Sequence, residues 1–191
     1  MKIDITYPER TEKAIHRGRV IRYARGPFLL AAYLCPVFNI YFGGSAWSVV
    51  VLWALFMAWT LLLSPDLVEY NRISQTIKTV EYSCVLMILI DIFLSPGWAV
   101  DVVFIVLFSA LILTAILFFS DFNRQKQNML PMLLFTAITL AASIIGLTLW
   151  KGKAMWPALL AGLLSLALMA ACYSVLGRDF LMEFKKRFHT K

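Results

Sequence analysis

Three polar side chains stand where long apolar stretches of the chain begin or end. Asn39 and Asp91 each lie near the end of an apolar run, and Asp101 lies three residues into the next run. Polar and ionisable groups at membrane depth are functional candidates, because placing them there is costly. We therefore predict Asn39, Asp91 and Asp101 as candidate ligand- or ion-binding residues, with a proton, a cation or a positively charged ligand as partner.

The same residues admit other interpretations. Interfacial carboxylates also reach water or cap backbone groups, and single polar residues commonly bond across helices. Asn39, Asp91 and Thr148 occupy similar depths and would form a ring in a threefold arrangement. Catalysis by the Asp91 and Asp101 pair would need a substrate-sized cleft beside them. Because neither residue belongs to a catalytic motif, we predict that the chain is not an enzyme.

Metal and cofactor chemistry lacks the residues that it needs. The two histidines, His16 and His189, lie near the ends of the chain, which disfavours a histidine-ligated metal site within the apolar runs. No pair of cysteines has C-x-x-C spacing, and no phosphate-binding or dinucleotide-binding glycine motif is present. We predict no metal and no cofactor. The three cysteines are interpreted as small buried apolar residues: Cys35, Cys84 and Cys172.

The composition indicates a membrane protein. Of 191 residues, 61% are hydrophobic and 15% are charged, whereas a soluble domain is about 45–50% apolar and about 25% charged. A membrane helix needs about 20 apolar residues, and six runs approach that length. They are Pro27–Gly44, Ala46–Ser64, Ile77–Leu94, Trp98–Phe119, Met129–Trp150 and Met155–Leu176.

The first run admits two interpretations. It is short and contains Pro36 and Asn39, so it is either a kinked spanning helix or a re-entrant segment. Because 26 mostly polar residues precede it, we expect a retained membrane helix and no cleavable signal peptide. We predict an all-α polytopic protein with a basic N-terminal segment (1–26), a six-helix transmembrane domain (27–176) and an amphipathic basic tail (177–191).

Orientation follows from the lysine and arginine residues. Sixteen of the 18 would lie on one side of a six-helix arrangement, and only Lys151 and Lys153 on the other. Positive residues concentrate in cytoplasmic segments, so we predict that both termini are cytoplasmic. The predicted location is a bacterial cytoplasmic membrane.

Recurring residues indicate three tandem helical hairpins. Each predicted outer turn is followed by a tryptophan, and each predicted return helix ends in an aspartate followed by a large apolar residue. Both markers recur at a spacing of about 50–60 residues. The alternative is that tryptophan belongs at any membrane interface and aspartate at any helix end. The markers are Trp47, Trp98 and Trp156, and Asp66, Asp121 and Asp179.

Two basic segments are predicted to contact anionic lipid. Arginines cluster directly before the first apolar run, and a basic stripe with phenylalanines at every fourth position follows the last run. Such patterns attract acidic headgroups or form interfacial helices, although the first could be a solvated flank and the second could dock a cytoplasmic partner. The predicted residues are Arg17, Arg19, Arg22, Arg25, Lys185, Lys186 and Arg187.

The order of these motifs resembles a family of six-helix bacterial membrane proteins of unknown function. Matching features are Asn39 before Trp47-Ser48, Asp91 before Pro96-Gly97-Trp98, Trp156-Pro157, and the ending Phe184–His189. The resemblance covers residues 27–189 and implies fold and location only. Members of that family often carry an N-terminal zinc ribbon, which this sequence lacks.

These predictions lead to two candidate functions. The first is a non-enzymatic accessory or regulatory subunit that binds a membrane partner or an outer-face ligand. The alternative is a small oligomeric transporter or channel, which would need polar groups near the midplane of the membrane. In both cases the expected partners are the lipid bilayer with its anionic lipids, and either another membrane protein or further copies of this chain. Nucleic acid is not an expected partner.

Overall fold

A computed structural model describes residues 12–63, 72–120, 129–149 and 155–188, and within these ranges the backbone is helical except at two turns. A π-helical turn, Trp59–Leu63, extends α2. The predicted all-α fold is confirmed, and each predicted apolar run lies largely within one helix, except that the second run also includes the π-helical turn. The helices are α1 (Glu12–Phe42), α2 (Trp47–Ala58), α3 (Arg72–Phe93), α4 (Ala99–Ser120), α5 (Met129–Leu149) and α6 (Met155–Phe188).

Three of the described helices are long and apolar enough to cross a membrane, judged by length and composition: Ala99–Ser120, Leu130–Leu149 and Trp156–Ser174. The segment Trp47–Leu63 is apolar but shorter. Helix α3 equals α4 in length but carries charged residues along it, Lys78 and Asp91 among them. The structure therefore supports membrane association through these three helices.

The chain divides into two compact units, of which the first ends at Leu67. Within it, α1 packs against α2. The ring of Phe28 meets that of Trp59 edge-on at 5.5 Å between centroids, and Asn39 hydrogen-bonds to the start of α2. Helix α1 continues through Pro27 and Pro36, although each proline removes one intrahelical hydrogen bond.

The second unit, Val68–Lys191, contains α3 to α6. Helix α4 lies at its centre and packs against the other three helices. Its buried side chains recur every three or four residues, which places most of them on one face. They are Ala99, Val103, Phe104, Leu107, Ala110, Leu111, Thr114 and Phe118.

Two glycines allow close helix packing in the second unit. A Cβ atom added at Gly146 would overlap the ring of Phe104, so this ring lies directly on the α5 backbone. A Cβ atom at Gly162 would lie 3.2 Å from the Cβ of Ser143, so α5 and α6 are also close there. Small residues at such contacts let helix backbones approach, as packing in lipid requires.

The helices extend past two of the predicted boundaries. Helix α1 begins well before Pro27, and α6 continues through the predicted tail to Phe188. The markers Asp66 and Asp121, and the lysines Lys151 and Lys153, lie outside the described residues. The turn between α5 and α6 lies outside them as well, so the three-hairpin arrangement remains a prediction.

Candidate functional site

Asn39 bridges the two sides of the turn between α1 and α2. Its side-chain Nδ2 donates a hydrogen bond to the main-chain oxygen of Ser45 at 3.0 Å. Its Oδ1 accepts one from the main-chain N–H of Ser48 at 2.9 Å. The first N–H groups of a helix have no partner within the helix, and Ala46 at the N-cap of α2 makes no side-chain hydrogen bond. Asn39 therefore provides from α1 the cap that α2 lacks locally.

Glycine makes this turn possible. Gly43 and Gly44 have φ angles of +70° and +90°. Residues that carry a Cβ atom rarely adopt such positive φ angles. The main-chain N–H of Gly43 also donates to the main-chain oxygen of Asn39 at 3.0 Å. Backbone and side chain of Asn39 thus both bind this turn, and the residue is almost fully buried, with 9% of its surface exposed.

Asp91 performs the corresponding task between α3 and α4. Its Oδ1 accepts hydrogen bonds from the main-chain N–H groups of Gly97 and Trp98, both at 2.8 Å. A third comes from Ala99, the first residue of α4, at 3.0 Å. A carboxylate there also interacts favourably with the positive end of the helix dipole. Gly97 in the same turn adopts a φ of +108°, a backbone conformation that favours glycine.

Asp101 lies in the first turn of α4, two residues after the last N–H that Asp91 binds. Its side chain is partly exposed, as is that of Asp91. Both carboxylates therefore lie at the same helix end, where unpaired N–H groups favour negative charge. The structure assigns a structural task to Asp91 and leaves the ligand-binding prediction for Asp101 open.

Thr148, the third member of the predicted ring, differs from Asn39 and Asp91. Its hydroxyl donates to the main-chain oxygen of Ile145 at 3.0 Å, within its own helix, and its side chain is exposed. Asn39 belongs to the first compact unit, whereas Asp91 and Thr148 belong to the second.

The predicted lipid-contacting residues are described in part. Arg19, Arg22 and Arg25 are exposed on α1. The backbone of Arg17 belongs to α1, but its side chain lies outside the described part of the chain. The same holds for three residues on α6: Lys185, Lys186 and Arg187.

Buried hydroxyl groups in the second unit were missed by sequence reasoning. The hydroxyls of Thr114 and Ser165 donate to carbonyls of their own helices. The Oγ atoms of Thr139 and Ser143 have no hydrogen-bond partner, although these residues are only 0% and 1% exposed. Their i, i+4 spacing places them on one face of α5. That spacing was the available signal, but such spacings are common in apolar helices.

Metal-binding and redox arrangements are absent from the described residues. No group of three histidine, cysteine, aspartate or glutamate side chains could hold a metal ion there. The three cysteines, all in described helices, are free, with Cys84 and Cys172 buried and Cys35 partly buried. Two of them thus lie in the core, as predicted.

The fold and these helix caps define an all-α protein with helices suited to a membrane. A family model described as "Family of unknown function (DUF6320)" matches residues 7–190. The chain belongs to this family. The predicted resemblance to a family of unknown function is confirmed at that level. Comparison with curated proteins and with solved structures finds no match.

Proposed function

We propose that this protein is a multi-pass, non-enzymatic accessory or regulatory subunit of a bacterial cytoplasmic membrane. Its six helices cross the membrane as three hairpins, and both termini lie in the cytoplasm. The packed helices bind a membrane partner, or the outer face binds a ligand. The excess of lysine and arginine on one side supports this orientation.

The observation that carries the proposal is that the side chains of Asn39 and Asp91 bind backbone N–H groups of the protein itself. Transport depends on polar groups that face a pathway or substrate. The Oδ1 atoms of Asn39 and Asp91 instead accept hydrogen bonds from backbone N–H groups of their own turns. Polar groups used in this way stabilise a scaffold, which is the property that a partner-binding subunit needs.

The mass and composition of the native complex test this proposal. The full chain, tagged at its C-terminus, is extracted from its own cells in a mild detergent and analysed by native mass spectrometry. We expect a second membrane protein at fixed stoichiometry, retained after chemical crosslinking in intact cells. A pure homo-oligomer with a defined subunit number would contradict the accessory-subunit proposal.

A small oligomeric transporter is the second candidate, and the unpartnered hydroxyls of Thr139 and Ser143 favour it. In that case these hydroxyls bind a transported species in a second conformation. Ion flux through the full chain reconstituted into lipid vesicles tests this candidate. The variant Ser143→Ala should reduce this flux. Thr148→Val is the matched control, because the exposed hydroxyl of Thr148 already donates to a carbonyl of its own helix. Equal flux in wild type and Ser143→Ala would remove the support for transport.

A further inference from the structure

One face of α1 is exposed from its basic start to its apolar end. Counted at about 100° per residue, Arg19, Arg22 and Gly26 lie on one face together with Leu30 and Tyr33. All five residues are exposed. The opposite face carries Phe28 and Asn39, which contact α2. Helix α1 therefore presents a continuous free face that changes from cationic to apolar along its length.

The change from cationic to apolar falls at Gly26 and Pro27. The space around Gly26 is open, since a Cβ atom added there would meet nothing within 4 Å. Pro27 has no N–H to donate to the carbonyl oxygen of Tyr23, which lies one turn earlier. The helix surface at this level thus combines a notch with a carbonyl that lacks its usual intrahelical donor.

The dimensions of this face match one lipid molecule. Half of a bilayer core is about 15 Å, which corresponds to about ten residues of helix. That length runs from Pro27 to Pro36, and the exposed Leu30 and Tyr33 lie within it. Arg22 lies about 7 Å before Pro27, within the headgroup layer. Guanidinium groups bind phosphate through paired hydrogen bonds.

We propose that this face of α1 binds one anionic phospholipid. Its phosphate contacts Arg19 and Arg22, its glycerol backbone lies at Gly26, and one acyl chain follows Leu30 and Tyr33. Charge complementarity selects an anionic over a zwitterionic headgroup, because the two exposed arginines of this face, Arg19 and Arg22, lie within one helical turn. The inference rests on the proposed membrane arrangement and adds to it a specific partner for the N-terminal helix.

The test measures lipid selectivity of the full chain in vesicles of phosphatidylcholine with a minor share of phosphatidylglycerol. Electron spin resonance compares the motionally restricted fractions of spin-labelled phosphatidylglycerol and phosphatidylcholine. Arg22→Gln should lower the selectivity for phosphatidylglycerol by about fivefold, because it removes a charge-assisted hydrogen bond to the phosphate. Arg25→Gln is the matched control, because it removes the same charge from the same helix at another angle. An equal loss of selectivity in both variants would show that only the general surface charge attracts the lipid, and it would overturn the proposal.

A second pair of variants tests the notch. Gly26→Leu fills it without changing charge and should lower the restricted fraction of phosphatidylglycerol, whereas Val20→Leu adds a methylene off the face and should not. An unchanged fraction in Gly26→Leu would overturn the position assigned to the glycerol. Impermeant labelling of Ser45→Cys in the same vesicles reports orientation separately. Failure of the lipid site and failure of the proposed topology are thereby distinguished.

Discussion

The turn between α1 and α2 and the turn between α3 and α4 satisfy the same need with different chemistry. In both, a side chain near the end of one helix accepts a hydrogen bond from an N–H group in the first turn of the next. Asn39 donates one hydrogen bond and accepts another, whereas a single oxygen of Asp91 accepts three. An amide can bridge a carbonyl and an N–H, but an ionised carboxylate can only accept.

The comparison teaches that the backbone of each turn selects the side chain that caps it. The first turn directs the carbonyl of Ser45 and the N–H of Ser48 toward one position, so it requires a donor and an acceptor. The second turn directs three N–H groups toward one position, so it favours a negatively charged acceptor. Hydrogen bonds to a charged acceptor are stronger than neutral ones, so we expect the second turn to depend more on its cap.

The largest expected effect is that of Asp91→Ala. It leaves three N–H groups without their acceptor, and we expect a loss of about 3 kcal/mol in the free energy of unfolding. Titration with a denaturing detergent in mixed micelles, followed by circular dichroism, measures the loss. An unfolding midpoint equal to that of wild type would show that water replaces the carboxylate at no cost, and the contrast between the two turns would fail.

Asn39→Ala should have the next largest effect, about 2 kcal/mol, because two hydrogen bonds of a buried amide are lost. Ser45→Ala is the control, since Asn39 binds the main-chain oxygen of Ser45 and this variant keeps it. The same unfolding titration applies. A larger loss in Ser45→Ala than in Asn39→Ala would mean that the serine side chain, and not the amide, stabilises the turn.

Exchanging the two caps sharpens the comparison. Asn39→Asp removes the donor to Ser45, and Asp91→Asn removes the charge from the start of α4. We expect about 1 kcal/mol of destabilisation from each, with no compensation when they are combined. If Asp91→Asn also leaves assembly intact but abolishes a ligand-dependent signal, Asp91 has a ligand-binding task besides its structural one.

The smallest expected effect is that of Asp101→Asn. This residue interacts with the dipole of α4 from its first turn, which corresponds to about 0.5 kcal/mol. High salt should weaken the interaction of Asp101 with the helix dipole. The unfolding midpoints of wild type and Asp101→Asn should then become equal. An effect as large as that of Asp91→Ala would show that Asp101, and not Asp91, is the main cap of α4.

Helix positions could be predicted from the sequence because apolar runs with polar interruptions are local signals. The prediction placed the start of the first apolar run at Pro27, since 26 mostly polar residues precede it. Helix α1 instead begins at Glu12. An apolar run marks the part of a helix that is buried or faces lipid, and a helix can continue beyond it through polar residues, as α1 does before Pro27.

The candidate residues could be identified from type and depth, but their tasks could not. Whether Asp91 binds a ligand or a helix start depends on the direction of three N–H groups in the turn that contains Gly97, which the sequence does not give. The buried hydroxyls of Thr139 and Ser143 give no distinct sequence signal, because threonine and serine occur throughout apolar helices. Their burial follows from packing among helices distant in sequence.

The continuous helix α6 makes the end of the chain a stiff rod. Its 34 residues would measure about 51 Å, against about 30 Å for a bilayer core. Tilting by the usual range of up to about 40° does not absorb the difference. The fourteen helical residues from Val175 to Phe188 extend the candidate span Trp156–Ser174 by about 21 Å. A force applied near Phe188 would be transmitted as torque to the close contact between α5 and α6 at Ser143 and Gly162.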